Sequence, residues 1–313
     1  MPAPAQFRAE SQDGGFLRQP NRFVDRITAD GASGYPAEAG RYQLYVSLAC
    51  PWAHRSVIAR RLLGLEDVIG MTVVDPIRDE RGWRFTLSPG DRDPLTGAAY
   101  LSELYLRTDP DYRGRVTVPC VWDRVTSRIV TNDYPHITLQ FETEFAAFVG
   151  PAAPDLYPVT LRNEIDAVGH MVYETVNNGV YRAGFATSQS AYEEAVTALF
   201  ATLDLLDERL AEQRYLVGGQ LTEADIRLFT TLVRFDAVYH GHFKCNLRKL
   251  SEYRHLWPYA RDLYQRPGFG DTVDVDAIKR HYYITHHMIN PTGIVPLGPA
   301  TDWAQAPRRD HLP

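Results

Sequence analysis

Cys50 stands in the run Leu44-Tyr45-Val46-Ser47-Leu48-Ala49-Cys50-Pro51-Trp52-Ala53-His54-Arg55, and its neighbours are of the kinds that make a thiol reactive. An alternating apolar segment ends at the cysteine, and Pro51 follows, the residue best suited to a first helical position where no amide hydrogen is needed. The sulfur is therefore expected at a helix N-terminus. There unpaired amides and the positive end of the helix dipole stabilise an anion and pull the thiol below its ordinary pKa of about 8.5. Thiol oxidoreductases often carry a second cysteine three positions on, but Ala53 occupies that place. Cys50 has no local disulfide partner and is expected to act as a monothiol that a soluble thiol resolves. Cys120 and Cys245 lack this setting and read as ordinary buried cysteines.

The elements that would position Cys50 follow from the pattern around it. A strand from Arg41 leads through the cysteine into a helix ending near Gly64, and Val68 to Val74 gives a second strand, a β-α-β opening. The segment Asp75 to Tyr100 is rich in Arg, Asp, Gly and Pro, and a loop this long inside a domain is expected to border the active site. Val116 to Trp122 reads as a strand interrupted by Pro119, which points to a cis peptide bond there. Ile129-Val130 pairs as a short antiparallel strand and Asp133 to Phe148 closes with a helix. After a linker from Pro151 to Pro158, helical periodicity dominates over 160–178, 189–213, 222–238, 253–265 and 273–283. Thr222-Glu223-Ala224-Asp225 has the form of a capping box.

At 313 residues with 44% apolar content the chain has room for about two packed units. A formal charge of −6, with no basic stripe, excludes a nucleic-acid-binding class and favours a small-molecule substrate. No stretch approaches the roughly 20 apolar residues of a membrane helix, and Met1 to Gly15 lack a signal-peptide pattern, so a cytoplasmic protein without membrane partners is expected. Three widely spaced cysteines form no disulfide framework. His240-Gly241-His242 with Cys245, and His286-His287, do not match zinc-binding spacings, and no metal is expected.

The order of elements, with a reactive cysteine at a helix start, a cis-proline and a helical second half, resembles the cytosolic glutathione transferases. That implies an α/β thioredoxin-like N-terminal domain plus an all-α C-terminal domain. Cys50-Pro51-Trp52-Ala53-His54-Arg55, Gly82-Trp83, Asn177-Asn178-Gly179-Val180-Tyr181-Arg182-Ala183-Gly184-Phe185-Ala186, Arg234-Phe235-Asp236-Ala237-Val238-Tyr239, Lys279-Arg280-His281-Tyr282-Tyr283 and Asn290-Pro291-Thr292-Gly293-Ile294-Val295-Pro296 resemble the Xi class, the glutathionyl-hydroquinone reductases. The similarity runs from about Asn21 to Gly298. It implies an extension over 1–40, a thiol-binding domain over 41–150, a helical substrate domain over 151–288 and a tail over 289–313, in a homodimer.

In that family the cysteine attacks the sulfur of a thiol adduct on a hydroquinone, frees the small aromatic quinol and is left as a mixed disulfide. A second thiol then releases the enzyme. The motifs carry the family's substrate tyrosines to Tyr181, Tyr239 and Tyr282, with Tyr283 the alternative if the register differs by one. They carry its site-lining tryptophan to Trp83, and the backbone that pairs with the thiol's peptide groups to Val118 beside Pro119. Where glutathione-using members read Asn-Glu-Ser, this chain reads Asn132-Asp133-Tyr134-Pro135. Asp133 can take an ammonium, whereas Tyr134 and Pro135 change the pocket and remove a small hydroxyl donor. Only three of the 33 basic residues are lysine, an arginine bias typical of GC-rich genomes, some of whose bacterial owners make mycothiol. Glutathione and mycothiol are thus both expected candidates for the co-substrate. A conjugating transferase is the second reading, set lower because Cys50 would divert its thiol into disulfides. A non-catalytic binding protein of the same fold is the third.

Overall fold

The structure is a computed structural model and describes residues 10–313. Its described residues form two compact units, one of 19–153 with 276–287, the other of 10–18, 154–275 and 288–313. The described chain opens on a short antiparallel hairpin, β1 (Ser11–Gln12) and β2 (Gly15–Phe16), which belongs to the second unit.

The first unit is built on a four-stranded mixed sheet in the order β4-β3-β5-β6. Strand β3 (Tyr42–Val46) is buried at every position and runs parallel to β4 (Gly70–Val73), with Val46 opposite Val73. A strand covered on both faces favours such a mostly apolar and aromatic run, and its one polar member, Gln43, donates to Thr72 Oγ1 at 2.7 Å. Between these strands lies α1 (Pro51–Leu62). On the other side β5 (Cys120–Asp123) pairs antiparallel with β3 and with β6 (Arg128–Thr131). The Val118–Pro119 bond is cis, and β5 begins only after the proline, so the strand is shorter than 116–122. Helix α2 (Leu101–Thr108) is not announced by its sequence: its N-cap is Tyr100, whose amide is taken by Glu103 Oε1 at 3.0 Å. Helix α3 (Tyr134–Thr143) stops before a separate turn at Ala146–Phe148. Residues expected to form an extension add to the sheet edge, where Asn132 N donates to the carbonyl of Phe23 and Phe23 N donates to the side-chain Oδ1 of Asn132, both at 3.0 Å.

The second unit is helical. Helix α4 (Arg162–Val172) continues as a π turn over Tyr173–Asn177, and α5 (Gly179–Gly184) follows. Helix α6 (Gln189–Arg209) starts at Ser188, whose hydroxyl accepts from Ala191 N at 3.3 Å. Helix α7 (Glu223–Arg234) also ends in a π turn, Phe235–Tyr239, and α8 (Leu256–Tyr264) completes the unit. The capping box is present: Asp225 Oδ2 accepts from Thr222 N at 2.9 Å, while its Oδ1 accepts from Leu216 N and Tyr259 Oη.

Two features depart from a linear division of the chain. Helix α9 (Val275–Thr285) falls within the expected helical domain 151–288, yet residues 276–287 belong to the sheet unit. The segment 289–297, whose apolar residues suggest docking, leaves Ile294 at 69% and Leu297 at 101% exposure. The docked part lies further on, where Trp303 packs on Trp257 and Tyr264 and Arg309 donates to the carbonyls of Leu210, Gln213 and Arg214.

Candidate active site

Cys50 is the N-cap of α1, with extended backbone (φ −78°, ψ 121°) and Pro51 in the first turn. The fully buried β3 fixes where the chain arrives, and the proline fixes where the helix begins. Cys50 N bonds to Ser47 O, and its carbonyl accepts from His54 N, both at 3.0 Å. Its side chain is 8% exposed, and the thiol donates to the carbonyl of Val118 at 3.4 Å. No acidic residue lies in the first turn of α1, and the guanidinium of buried Arg55 stands 4.7 Å from the ring of Trp52. The other cysteines sit differently. Burial in apolar surroundings pushes the thiols of Cys120 and Cys245 far above the ordinary range, so both stay protonated.

At the start of α3, Asp133 is the N-cap, and its carboxylate is already engaged. Oδ1 accepts from Asn21 Nδ2 at 3.1 Å; Oδ2 lies 2.8 Å from His136 Nδ1 and 3.0 Å from Arg26 Nη1. Burial alone would raise this carboxyl, but His136, Arg26 and Asn21 together outweigh it and hold it below its ordinary value. Tyr134 is buried with its ring 4.6 Å from that of Trp52, two residues beyond the cysteine.

The long loop is a built structure. Asp93, buried beneath it, accepts from Tyr45 Oη at 2.8 Å, which ties 75–100 to β3. Trp83 is 4% exposed, and its indole N–H has no acceptor among the described residues. Its ring is stacked on that of His281 from α9, with centroids 5.3 Å apart and planes at 16°. Tyr282 is buried with its ring edge-on to those of His281 and His286, whereas Tyr283 is half-buried. The structure therefore gathers Cys50, Trp83, Val118, Pro119, Asp133, Tyr134 and Tyr282 in the sheet unit.

Tyr181 and Tyr239 belong to the helical unit, where they join an aromatic cluster. Their rings are 6.1 Å apart, and Phe243 stacks on Tyr239 at 5.6 Å and meets Tyr181 at 5.4 Å. Arg18, from the segment after β2, lies 5.1 Å from the ring of Tyr181 and donates twice to Asn178 Oδ1 at 3.2 Å. Each tyrosine lies at or just beyond a π turn, Tyr173–Asn177 or Phe235–Tyr239, of the kind that often marks functional positions. The sequence carried no signal for these wide turns, for Arg18, or for the partners of Asp133. Among the described residues no group of three or more His, Cys, Asp or Glu side chains is placed to hold a metal ion.

Residues 189–266 match the family described as glutathione S-transferase, C-terminal domain. The glutathionyl-hydroquinone reductase YqjG of Escherichia coli K12 is 49% identical over 97% of this chain and 95% of its own length. Its structure, solved with glutathione bound, superposes with a TM-score of 0.88, covering 92% of this chain and 96% of that one. A glutathione transferase from Gordonia bronchialis is 56% identical with a TM-score of 0.90, covering 92% of this chain and 90% of that chain. The Xi glutathione S-transferase of Phanerochaete chrysosporium is 50% identical with a TM-score of 0.88, covering 92% and 94%. Near-full-length identity of this size, on a mixed-sheet domain joined to a helical one, shows that the chain belongs to the Xi-class glutathione transferases, the glutathionyl-hydroquinone reductase family.

Proposed function

We propose that the enzyme removes a thiol group from a hydroquinone adduct by thiol-disulfide chemistry at Cys50. The thiolate of Cys50 attacks the adduct's sulfur, and the carbon-sulfur bond breaks. Its electron pair goes to the ring carbon, which takes up a proton, and the quinol leaves. A second thiol molecule then attacks the Cys50 mixed disulfide, yielding the oxidised disulfide of the co-substrate and the free enzyme. The ring is reduced and two thiols are oxidised, so the electrons balance. The observation that carries this reading is a lone cysteine capping a helix, with alanine where a resolving cysteine would stand. Conjugation is the weaker alternative, because a nucleophilic thiol at that place captures the co-substrate as a disulfide. Tyr181, Tyr239 and Tyr282 take the family's part as hydrogen-bonding and proton-donating phenols for the quinol. Trp83, the backbone at Val118 and Pro119, and Asp133 with Tyr134 serve the thiol.

The co-substrate is a low-molecular-weight thiol, glutathione or mycothiol. The solved relative with glutathione bound favours the first. The second draws support from two local facts: Asp133 already has cationic and amide partners, and the ring of Tyr134 turns onto Trp52. A carboxylate so neutralised has less to offer a ligand ammonium, while hydroxyl-rich head groups ask only for neutral donors and acceptors. A homodimer acting in the cytoplasm completes the reading, by family resemblance. Steady-state turnover of menadiol adducts carrying each thiol, with the matching free thiol as reductant, tests it. No release of menadiol with either adduct would overturn the reductase assignment. Faster turnover with the glutathionyl adduct would remove mycothiol.

A further inference from the structure

His281 comes from a motif whose neighbouring tyrosine has a proposed part in the reaction, while the histidine itself has none. It is 7% exposed, and its Nδ1 lies 2.6 Å from the carbonyl of Pro76. A carbonyl only accepts, so Nδ1 carries the proton. The same ring is stacked on Trp83, 5.3 Å away at 16°, and the guanidinium of Arg78 is 5.0 Å from the indole. One imidazole from α9 thus holds the long loop at two points, by a hydrogen bond at Pro76 and by stacking at Trp83. Between them the loop closes on itself through a bridge of Asp79 with Gly82.

The indole N–H that results is more than nine-tenths buried and lacks an acceptor among the described residues. A buried donor left unpaired is destabilising, so a site keeps one when a ligand supplies the acceptor. We propose that His281 is a positioning residue for thiol recognition, fixing the plane of Trp83 so that its N–H meets an acceptor of the incoming thiol. This rests on the reading of Trp83 as a thiol contact. It also gives α9 a place in the sheet unit that no local property of its sequence explains.

The test separates the two holds on the loop. His281→Asn keeps an amide donor for Pro76 but loses the stack, and His281→Phe keeps the stack but loses the donor. Each variant, and Trp83→Phe, is assayed with the glutathionyl and mycothiolyl adducts. Cys50 alkylation by iodoacetamide, a reagent with no thiol head group, is followed in parallel. The expected result is a KM for the thiol raised about five- to tenfold in each single variant, the worth of one hydrogen bond, with kcat within about twofold. The alkylation rate should be unchanged. The double variant with Trp83→Phe should be no worse than Trp83→Phe alone, because His281 acts only through the indole. Additive losses, or a fall in kcat and alkylation with KM unmoved, would overturn the proposal. If Trp83→Phe itself leaves KM unchanged, the reading of Trp83 fails and the proposal with it. If Trp83→Phe raises KM and both His281 variants do not, only the role of His281 fails. Should His281→Phe not fold, His281→Asn carries the cycle alone.

Discussion

The thiol of Cys50 donates to the carbonyl of Val118 across 3.4 Å, the residue joined by a cis bond to Pro119. A carbonyl can accept from a thiol but offers a thiolate nothing. The contact therefore belongs to the protonated form, and ionisation frees both the sulfur and the carbonyl. The amides at the start of α1 are expected to favour the anion, with no acid in that turn to oppose them.

Cys50 is accordingly expected to titrate below the ordinary thiol value of about 8.5, read as thiolate absorbance against pH in the Cys120→Ser/Cys245→Ser background. Cys50→Ser should lower adduct reduction by more than roughly a thousandfold, as loss of a covalent nucleophile does. A thiol titrating at or above the ordinary value would contradict the helix-terminus argument.

Cys120 and Cys245 should behave in the opposite way. Burial holds both protonated, so neutral iodoacetamide should add one label to the native protein and three after unfolding, counted by intact mass. Serine at either position should retain most activity. A second label on the folded protein would show that one of these sites opens.

The Asp133 cluster predicts a signed pH effect. Its carboxyl is held below the usual range in the folded state, so its contribution to stability is present above the unfolded pKa of about 3.9 and is lost as pH falls through the lower folded value. Urea unfolding of Asp133→Asn should show reduced stability at neutral pH. The deficit should shrink as acid protonates the wild-type carboxyl and vanish below the folded pKa. A deficit that persists unchanged into strong acid would assign the effect to packing.

Asp225 gives the clearest stability prediction. It is fully buried and accepts from Leu216 N, Thr222 N and Tyr259 Oη, so Asp225→Ala strands several donors at once. Thermal or denaturant unfolding should register a loss of about 3 kcal/mol or more, with the Cys50 thiol titrating as in the wild type in the fraction that folds. A neutral substitution would mean that water replaces the carboxylate.

What the sequence determined by itself was local. Cys50-Pro51 marks a helix start because a proline lacks the amide that position does not need. Thr222 and Asp225 mark another because their side chains satisfy amides three residues away. Pro119 announced its cis bond. Each of these signals lies within a few residues of what it determines. Only the tertiary structure decided the rest, since it depends on residues far apart in the chain. The sequence of α9 reads as one more amphipathic helix, and its residues 276–287 join the sheet unit through partners about 200 positions away, such as Pro76 and Trp83. Tyr134 turns onto Trp52, and Asp133 is matched by Asn21 and Arg26, for the same reason. Ile294 and Leu297 look dockable by composition, yet their side chains stand exposed, and the chain packs through Trp303 and Arg309 further on.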